Sequence, residues 1–140
     1  MKLILTLPLP PSDNRRLTAN HRPTPEYDRW KDRARLHWND LLYNLEPGTF
    51  WEMDSPSYDI QYTYIIRIFM KDQKGDFTNF LKCLKDFGSK RIYTDDKWVN
   101  MLITMPVLLD RDNPRVEWDL DPLLHHRKAN QGNLEGQEEY

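Results

Sequence analysis

Cysteine is nearly absent from this chain of 140 residues, in which Cys83 is the only one. A single cysteine excludes an intramolecular disulfide, and it also excludes a metal site built from several thiolates. We therefore expect a protein that works in a reducing compartment, such as the cytoplasm.

Long apolar runs are lacking as well. No stretch of the sequence approaches the roughly 20 apolar residues that are needed to cross a bilayer. The apolar start from Leu3 to Leu7 is interrupted by Pro8, Pro10 and Pro11, too early for the apolar region of a signal peptide. We expect a soluble chain with no membrane partner.

The sequence also lacks the basic excess that usually marks a nucleic-acid binder. It has 20 Lys and Arg against 22 Asp and Glu, a net charge of −2. The segment from Asp121 onward holds this net charge, so residues 1–120 are neutral. Within that neutral body, basic residues cluster in one loop and beside the central acidic residues: Arg15, Arg16 and Arg22 in the loop, and Lys82, Lys85, Lys90 and Arg91 near the centre. Such clusters suit phosphates around a metal ion, but they also fit an ordinary mixed surface.

What is present is enough for one domain. The length suits a single core, and five Trp, seven Tyr and five Phe supply bulky material for it. Periodicity predicts a strand, a helix, a long strand, a second helix and a further strand, in that order. The predicted ranges are Lys2 to Leu7, Pro25 to about Glu46, Ser57 to Met70, Asp76 to Gly88, and Trp98 to Met105. The fold class that follows is α/β.

The first predicted helix begins with the usual signals, since Thr24 can cap it and Pro25 takes the first helical position. Its apolar residues recur at helical spacing and make one stripe: Tyr27, Trp30, Ala34, Trp38, Leu41, Leu42 and Leu45. We interpret this stripe as core rather than as a platform on which bases stack.

A loop from Pro8 to Pro23 precedes this helix and is long for a connection in a compact domain. It carries donors that suit phosphate, together with polar companions: Arg15, Arg16, His21 and Arg22, with Asn14 and Asn20. The residues either contact phosphates or are simply solvated.

The stretch from Lys74 to Val99 is the most informative one. Asp76 stands at the predicted start of the second helix, Lys82 lies on its polar face, and Asp95 and Asp96 precede the next strand. Asp76 could cap the helix, and the acidic pair could form a simple turn. The alternative is a magnesium site, because this ion takes hard oxygen ligands from carboxylates and leaves room for water and phosphate.

Three motifs in this order resemble the RusA-like Holliday junction resolvases, which are small homodimeric endonucleases common in phages and prophages. The first motif is the loop Leu7-Pro8-Leu9-Pro10-Pro11-Ser12-Asp13-Asn14-Arg15, the second is Asp76-Phe77-Thr78-Asn79-Phe80-Leu81-Lys82, and the third is Asp95-Asp96 followed by Val99. The resemblance covers roughly residues 2–120. It implies one small domain, residues 1–120, in which a mixed β-sheet packs with two main helices, followed by a polar tail over residues 121–140.

The resemblance also assigns roles. Asp76 and Asp96 match the metal-binding aspartates, with Asp95 as their acidic neighbour, and Lys82 matches a lysine of the active site. The expected cofactor is Mg²⁺, with Mn²⁺ as an alternative. Thr78 stands where the family has a second helix carboxylate, so its hydroxyl would be a weak ligand or Asp95 would compensate. The residues expected to contact DNA are Asn14, Arg15, Arg16, Arg22, Lys74 and Lys85.

The implied activity is metal-assisted cleavage of four-way DNA junctions in recombination and repair, by a homodimer in the cytoplasm of a bacterial or phage-infected cell. Two alternatives stay open. The change at Thr78 could leave a branched-DNA-binding protein with weakened or lost catalysis, or the nuclease could act on flaps or other branches. The tail with His125 and His126 is expected to be disordered or loosely packed.

Overall fold

A computed structural model describes residues 3–45, 52–73 and 79–126. These residues form two α-helices, six strands and two 3₁₀ turns. In chain order they are β1 (Ile4–Pro8), a 3₁₀ turn (Asp13–Arg15), α1 (Pro25–Tyr43), β2 (Ile60–Met70), α2 (Leu81–Gly88), a 3₁₀ turn (Asp96–Trp98), β3 (Val99–Ile103), β4 (Leu108–Leu109), β5 (Arg115–Asp119) and β6 (Leu123–His126). No helix within these three ranges is long and apolar enough to span a bilayer.

The long strand β2 is the centre of the sheet. β3 and β4 pair with it in parallel, whereas β5 and β6 pair with it antiparallel, and β1 pairs antiparallel with β5. The sheet is therefore mixed, and with two helices it confirms the predicted α/β class.

The core lies on the face of the sheet that carries alternate residues of β2. Tyr64, Ile66 and Ile68 are fully buried there, which confirms the alternation expected for this strand. The stripe of α1 is buried too, with Trp30 only 3% exposed, so its interpretation as core is confirmed. The Trp30 Nε1 donates to the carbonyl of Pro8 at 2.8 Å and ties α1 to the end of β1.

The first helix begins as predicted and ends slightly earlier. Thr24 Oγ1 accepts a hydrogen bond from the Tyr27 amide at 3.1 Å, which satisfies one of the free donors of the first turn. The helix ends at Tyr43, where the amide of Asn44 caps it, rather than near Glu46.

The second strand begins at Ile60 rather than at Ser57. The reason is local, because the Ser57 hydroxyl accepts hydrogen bonds from the amides of Asp59 and Ile60 at 3.3 and 3.2 Å. These contacts close a turn in place of extended pairing.

The start predicted for the second helix is wrong in its described part, since Asn79 and Phe80 form a turn and α2 begins at Leu81. Positions 76 and 78 lie outside the described residues. The face assignment within α2 is confirmed, because Leu84 and Phe87 are buried and Lys82 is exposed.

The predicted irregular tail needs a correction at its start. Leu123–His126 form β6 and pair with residues 60–63 of β2, with a 3.2 Å contact between Thr63 Oγ1 and His125 Nε2. These residues belong to the sheet, and the rest of the predicted tail, 127–140, lies outside the described residues.

Candidate active site

The acidic pair stands at the junction between a 3₁₀ turn and β3. Asp95 caps the turn, because its Oδ1 accepts a hydrogen bond from the Lys97 amide at 3.1 Å. Asp95 is exposed and Asp96, the first residue of the turn, is partly buried. The acidic turn, one of the two alternatives that the sequence left open, is therefore present. It fixes the backbone at both aspartates.

Backbone hydrogen bonds to Asp54 hold the segment that leads into this pair. The Asp54 amide donates to the Ile92 carbonyl, and the Thr94 amide donates to the Asp54 carbonyl, both at 2.9 Å. The Asp54 carboxylate in turn accepts a hydrogen bond from the hydroxyl of Tyr64 in β2. Burial raises the pKa of Asp54, the hydrogen bond from Tyr64 partly offsets this by lowering it, and the charge of Asp121 raises it. The approach to the acidic pair is thus anchored to the central strand.

Tyr93 connects the same segment to α2. Its side chain is fully buried, and its hydroxyl donates to the carbonyl of Lys85 at 2.7 Å. Burial raises the pKa of Tyr93, and the charges of Asp96 and Asp86 raise it as well. Tyr93 thus ties the segment before the acidic pair to α2.

The polar face of α2 contributes Lys82 and Asp86. The two residues are four positions apart, so their side chains are neighbours on one face of the helix, and both residues are exposed. Burial raises the pKa of Asp86, the charge of Arg16 lowers it, and the charges of Asp96 and Asp13 raise it. Asp96 thus acts on the same helix face that presents Lys82.

The loop after β1 packs on this helix. The Asp13 amide donates to the Asn79 carbonyl at 2.8 Å, and the Cys83 thiol donates to the Pro11 carbonyl at 3.6 Å. Arg16 forms an ion pair with Asp86 at 2.6 Å, with its side chain only 19% exposed. Arg16 is therefore an anchor for the loop in this structure.

The other residues expected to contact DNA are placed differently. Asn14, Arg15 and Arg22 are exposed, and Lys85 is partly buried on α2. Arg15 is 3.5 Å from Glu26, with 71% of its side chain exposed. Lys74 lies outside the described residues.

The donors around the acidic pair suit a hard divalent cation in type. They are the carboxylate oxygens of Asp95 and Asp96. Asp13 Oδ1, in the loop that packs on α2, is buried with no hydrogen-bond partner among the described residues. The described ranges contain no group of three or more His, Cys, Asp or Glu arranged to hold a metal ion. Asp95 and Asp96 would therefore need a further ligand, and the two expected from the motif, Asp76 and Thr78, fall outside the described residues.

Two pairs that matter here were missed by sequence reasoning. For the contact of Asp86 with Arg16, the sequence offers one signal. The four-residue spacing of Asp86 from Lys82 places both residues on the same face of α2. The contact of Asp54 with Tyr64 had none, since an isolated aspartate before a strand carries no pattern.

The comparison with known families agrees with the order of these motifs. The family model described as endodeoxyribonuclease RusA matches residues 8–120, which include the loop, α1, α2 and the acidic pair. No curated protein matches the chain. Because the match covers most of the chain, the protein belongs to the endodeoxyribonuclease RusA family, whose members are nucleases that act on Holliday junctions.

Proposed function

We propose that this protein is a magnesium-dependent endodeoxyribonuclease that resolves four-way DNA junctions by paired cleavage in recombination or repair. The observation that carries the proposal is the shared environment of Asp96 and the polar face of α2. The 3₁₀ turn that begins at Asp96 packs against α2, and α2 presents the exposed Lys82 on its polar face. The buried Tyr93 ties the segment before the acidic pair to the same helix, because its hydroxyl donates to the Lys85 carbonyl.

Asp95 and Asp96, together with Asp76 and Thr78, would hold Mg²⁺ or Mn²⁺. A cation held there would supply Lewis-acid chemistry, since it would polarise the phosphate and lower the pKa of a bound water. Lys82 places a positive charge beside the scissile phosphate and stabilises the negative charge that develops on its oxygens. The hydrogen bond from the Lys97 amide to Asp95 Oδ1 orients that carboxylate.

DNA would be held by the loop after β1. Its exposed Asn14, Arg15 and Arg22 can contact phosphates, which fixes the position of an arm without reading bases. Arg16 holds the loop on α2 through its ion pair with Asp86. A DNA arm bound by the loop would therefore lie at a fixed distance from Lys82. Lys74 and Lys85 would extend the phosphate contacts along the start and the face of α2.

The active unit is a homodimer in this proposal. A four-way junction has two-fold symmetry, and its resolution needs two matched cuts, which a C2 dimer with two sites provides.

A synthetic four-way junction with a labelled strand tests the proposal. Wild-type protein with Mg²⁺ should cut two opposing strands, and Lys82→Gln should slow cleavage by about hundredfold, or about 2.7 kcal/mol of transition-state stabilisation. The control is Arg111→Gln, which removes an exposed positive charge after β4. Junction binding without any cleavage by the wild type would overturn the enzymatic proposal.

The second candidate is a junction-binding protein without cleavage, and the identity of Thr78 favours it, because the family motif has a carboxylate there. Both candidates bind junctions, and only the nuclease cuts them. If the wild type binds without cutting, a gain of cleavage in Thr78→Asp would establish this second function as the result of one substitution.

A further inference from the structure

A shallow cleft lies between the proline-rich loop and α1. It has a volume of about 190 Å³ and is lined by Pro10, Pro11, Glu26, Arg29, Trp30 and Arg33. Pro10, Pro11 and Trp30 are buried and form the floor of the cleft, and its exposed lining is mainly polar. The Trp30 indole donates to Pro8, which further fixes the floor.

The rim of this cleft carries an excess of positive charge. Arg29 and Arg33 are four residues apart on α1, hence about 6 Å along the helix axis, and both are exposed. Within the described residues, neither has an ion pair. The one carboxylate of the cleft, Glu26, lies 3.5 Å from Arg15 of the loop. The cleft lining therefore carries two guanidinium groups and one carboxylate, and the carboxylate is paired with a third arginine from the loop.

The other basic residues of the same helix differ from this pair. Lys31 lies 3.4 Å from Asp28, and Arg35 lies 3.3 Å from Asp32. Their charges are neutralised locally, although they stand on the same element. The unpaired positive charge of α1 is thus concentrated at the cleft.

The cleft is also adjacent to the proposed cleavage site. Pro11 lines it, and the carbonyl of Pro11 accepts a hydrogen bond from Cys83 of α2. One loop therefore forms the wall of the cleft and packs on the helix that presents Lys82. A DNA strand that passes over this loop can reach both sites.

We infer that Arg29 and Arg33, together with Arg15, form a second phosphate-binding site, which holds the backbone of a junction arm next to the cleavage site. Arginine suits this role because its planar guanidinium can donate two parallel hydrogen bonds to one phosphate. The inference rests on the proposed function, the binding of branched DNA, and names the surface that one arm uses.

Junction binding at several salt concentrations tests this site. The double variant Arg29→Gln/Arg33→Gln should bind a synthetic four-way junction at least about tenfold more weakly at physiological salt. The slope of log K against log salt should become shallower by about 1.8, because each lost phosphate contact removes about 0.9. The matched control, Lys31→Gln/Arg35→Gln, removes two charges from the same helix and should keep the wild-type slope.

The outcomes separate this inference from the proposed function. If the wild type cuts junctions but both double variants bind alike, the second site does not exist and the nuclease proposal stands. If the wild type binds no DNA, both fail. The variant Arg29→Lys/Arg33→Lys conserves both charges, so it should keep the wild-type salt slope while it binds the junction more weakly. A shallower slope in this variant would also overturn the site.

Discussion

Gly88, the last residue of α2, has no room for a side chain. A Cβ at this position would lie 2.6 Å from Oη, 2.7 Å from Cζ and 2.8 Å from Cε2 of Tyr93. The ring cannot easily move, because Tyr93 is fully buried, packs beside Tyr64 and Trp118, and donates to the Lys85 carbonyl. We therefore predict that Gly88→Ala destabilises the protein.

The size of the effect follows from two opposing contributions. Alanine would favour the helix by up to about 1 kcal/mol relative to glycine. Overpacking of a well-packed core costs about 1–3 kcal/mol, and a contact below 3.0 Å against a fixed ring belongs in the upper part of that range. We expect a net loss of about 1–2 kcal/mol, which lowers Tm by about 3–6 °C for a chain of this size.

Thermal denaturation of four proteins, the wild type, Gly88→Ala, Tyr93→Phe and the double variant, measures this cost. Tyr93→Phe alone loses a hydrogen bond worth about 1 kcal/mol, but it also removes the oxygen nearest the new methyl group. In the Gly88→Ala background it should therefore cost less than in the wild type. If Gly88→Ala is as stable as the wild type, or the two changes are additive, the close approach is not what requires glycine here.

Two further predictions concern the anchor beneath the acidic pair. Tyr64→Phe removes the hydroxyl that donates to the Asp54 carboxylate. Because a half-buried acceptor then loses its donor, we expect the free energy of unfolding, measured in urea, to fall by about 1–3 kcal/mol. An unchanged midpoint would contradict this expectation. Burial raises the pKa of Asp54 above 3.8 in the folded chain, so the folded state binds this proton more tightly than the unfolded one. The free energy of unfolding of the wild type, relative to Asp54→Asn, should therefore fall as the pH rises from 3.8 through the raised pKa; a difference that grows with pH would refute the shift.

Periodic elements could be predicted because their signal is local. Strand β2 alternates between buried and less buried residues from Tyr64 to Ile68, and α1 repeats its apolar residues at helical spacing, since each buries one face in the core. The start of α2 could not be predicted in this way. The carbonyl of Asn79, just before α2, accepts a hydrogen bond from Asp13, and this partner is far away in the sequence.

The strand β6 was missed for a related reason. All four of its residues, Leu123–His126, are exposed, so the strand has no buried face and leaves no alternation in the sequence. Its pairing with β2 and the contact of His125 with Thr63 come from the sheet edge that β2 offers.

The candidate site also has parts that the sequence predicts and parts that it does not. Lys82 and the acidic pair were predicted from motif spacing, and their catalytic role stays a prediction. The contacts that position them could not be named, since the ion pair of Arg16 with Asp86 joins residues 70 positions apart and depends on how the loop packs on α2.

The most direct test of the central claim compares cleavage and binding of a four-way junction by Asp96→Asn. The account predicts that cleavage with Mg²⁺ falls by more than about hundredfold while junction affinity stays within about threefold of the wild type, because Asp96 would hold the metal ion at the scissile phosphate and would not contact the arms. The control Asp112→Asn removes an equal charge at an exposed position between β4 and β5, and it should cut normally. Wild-type cleavage by Asp96→Asn would contradict the assignment of the active site.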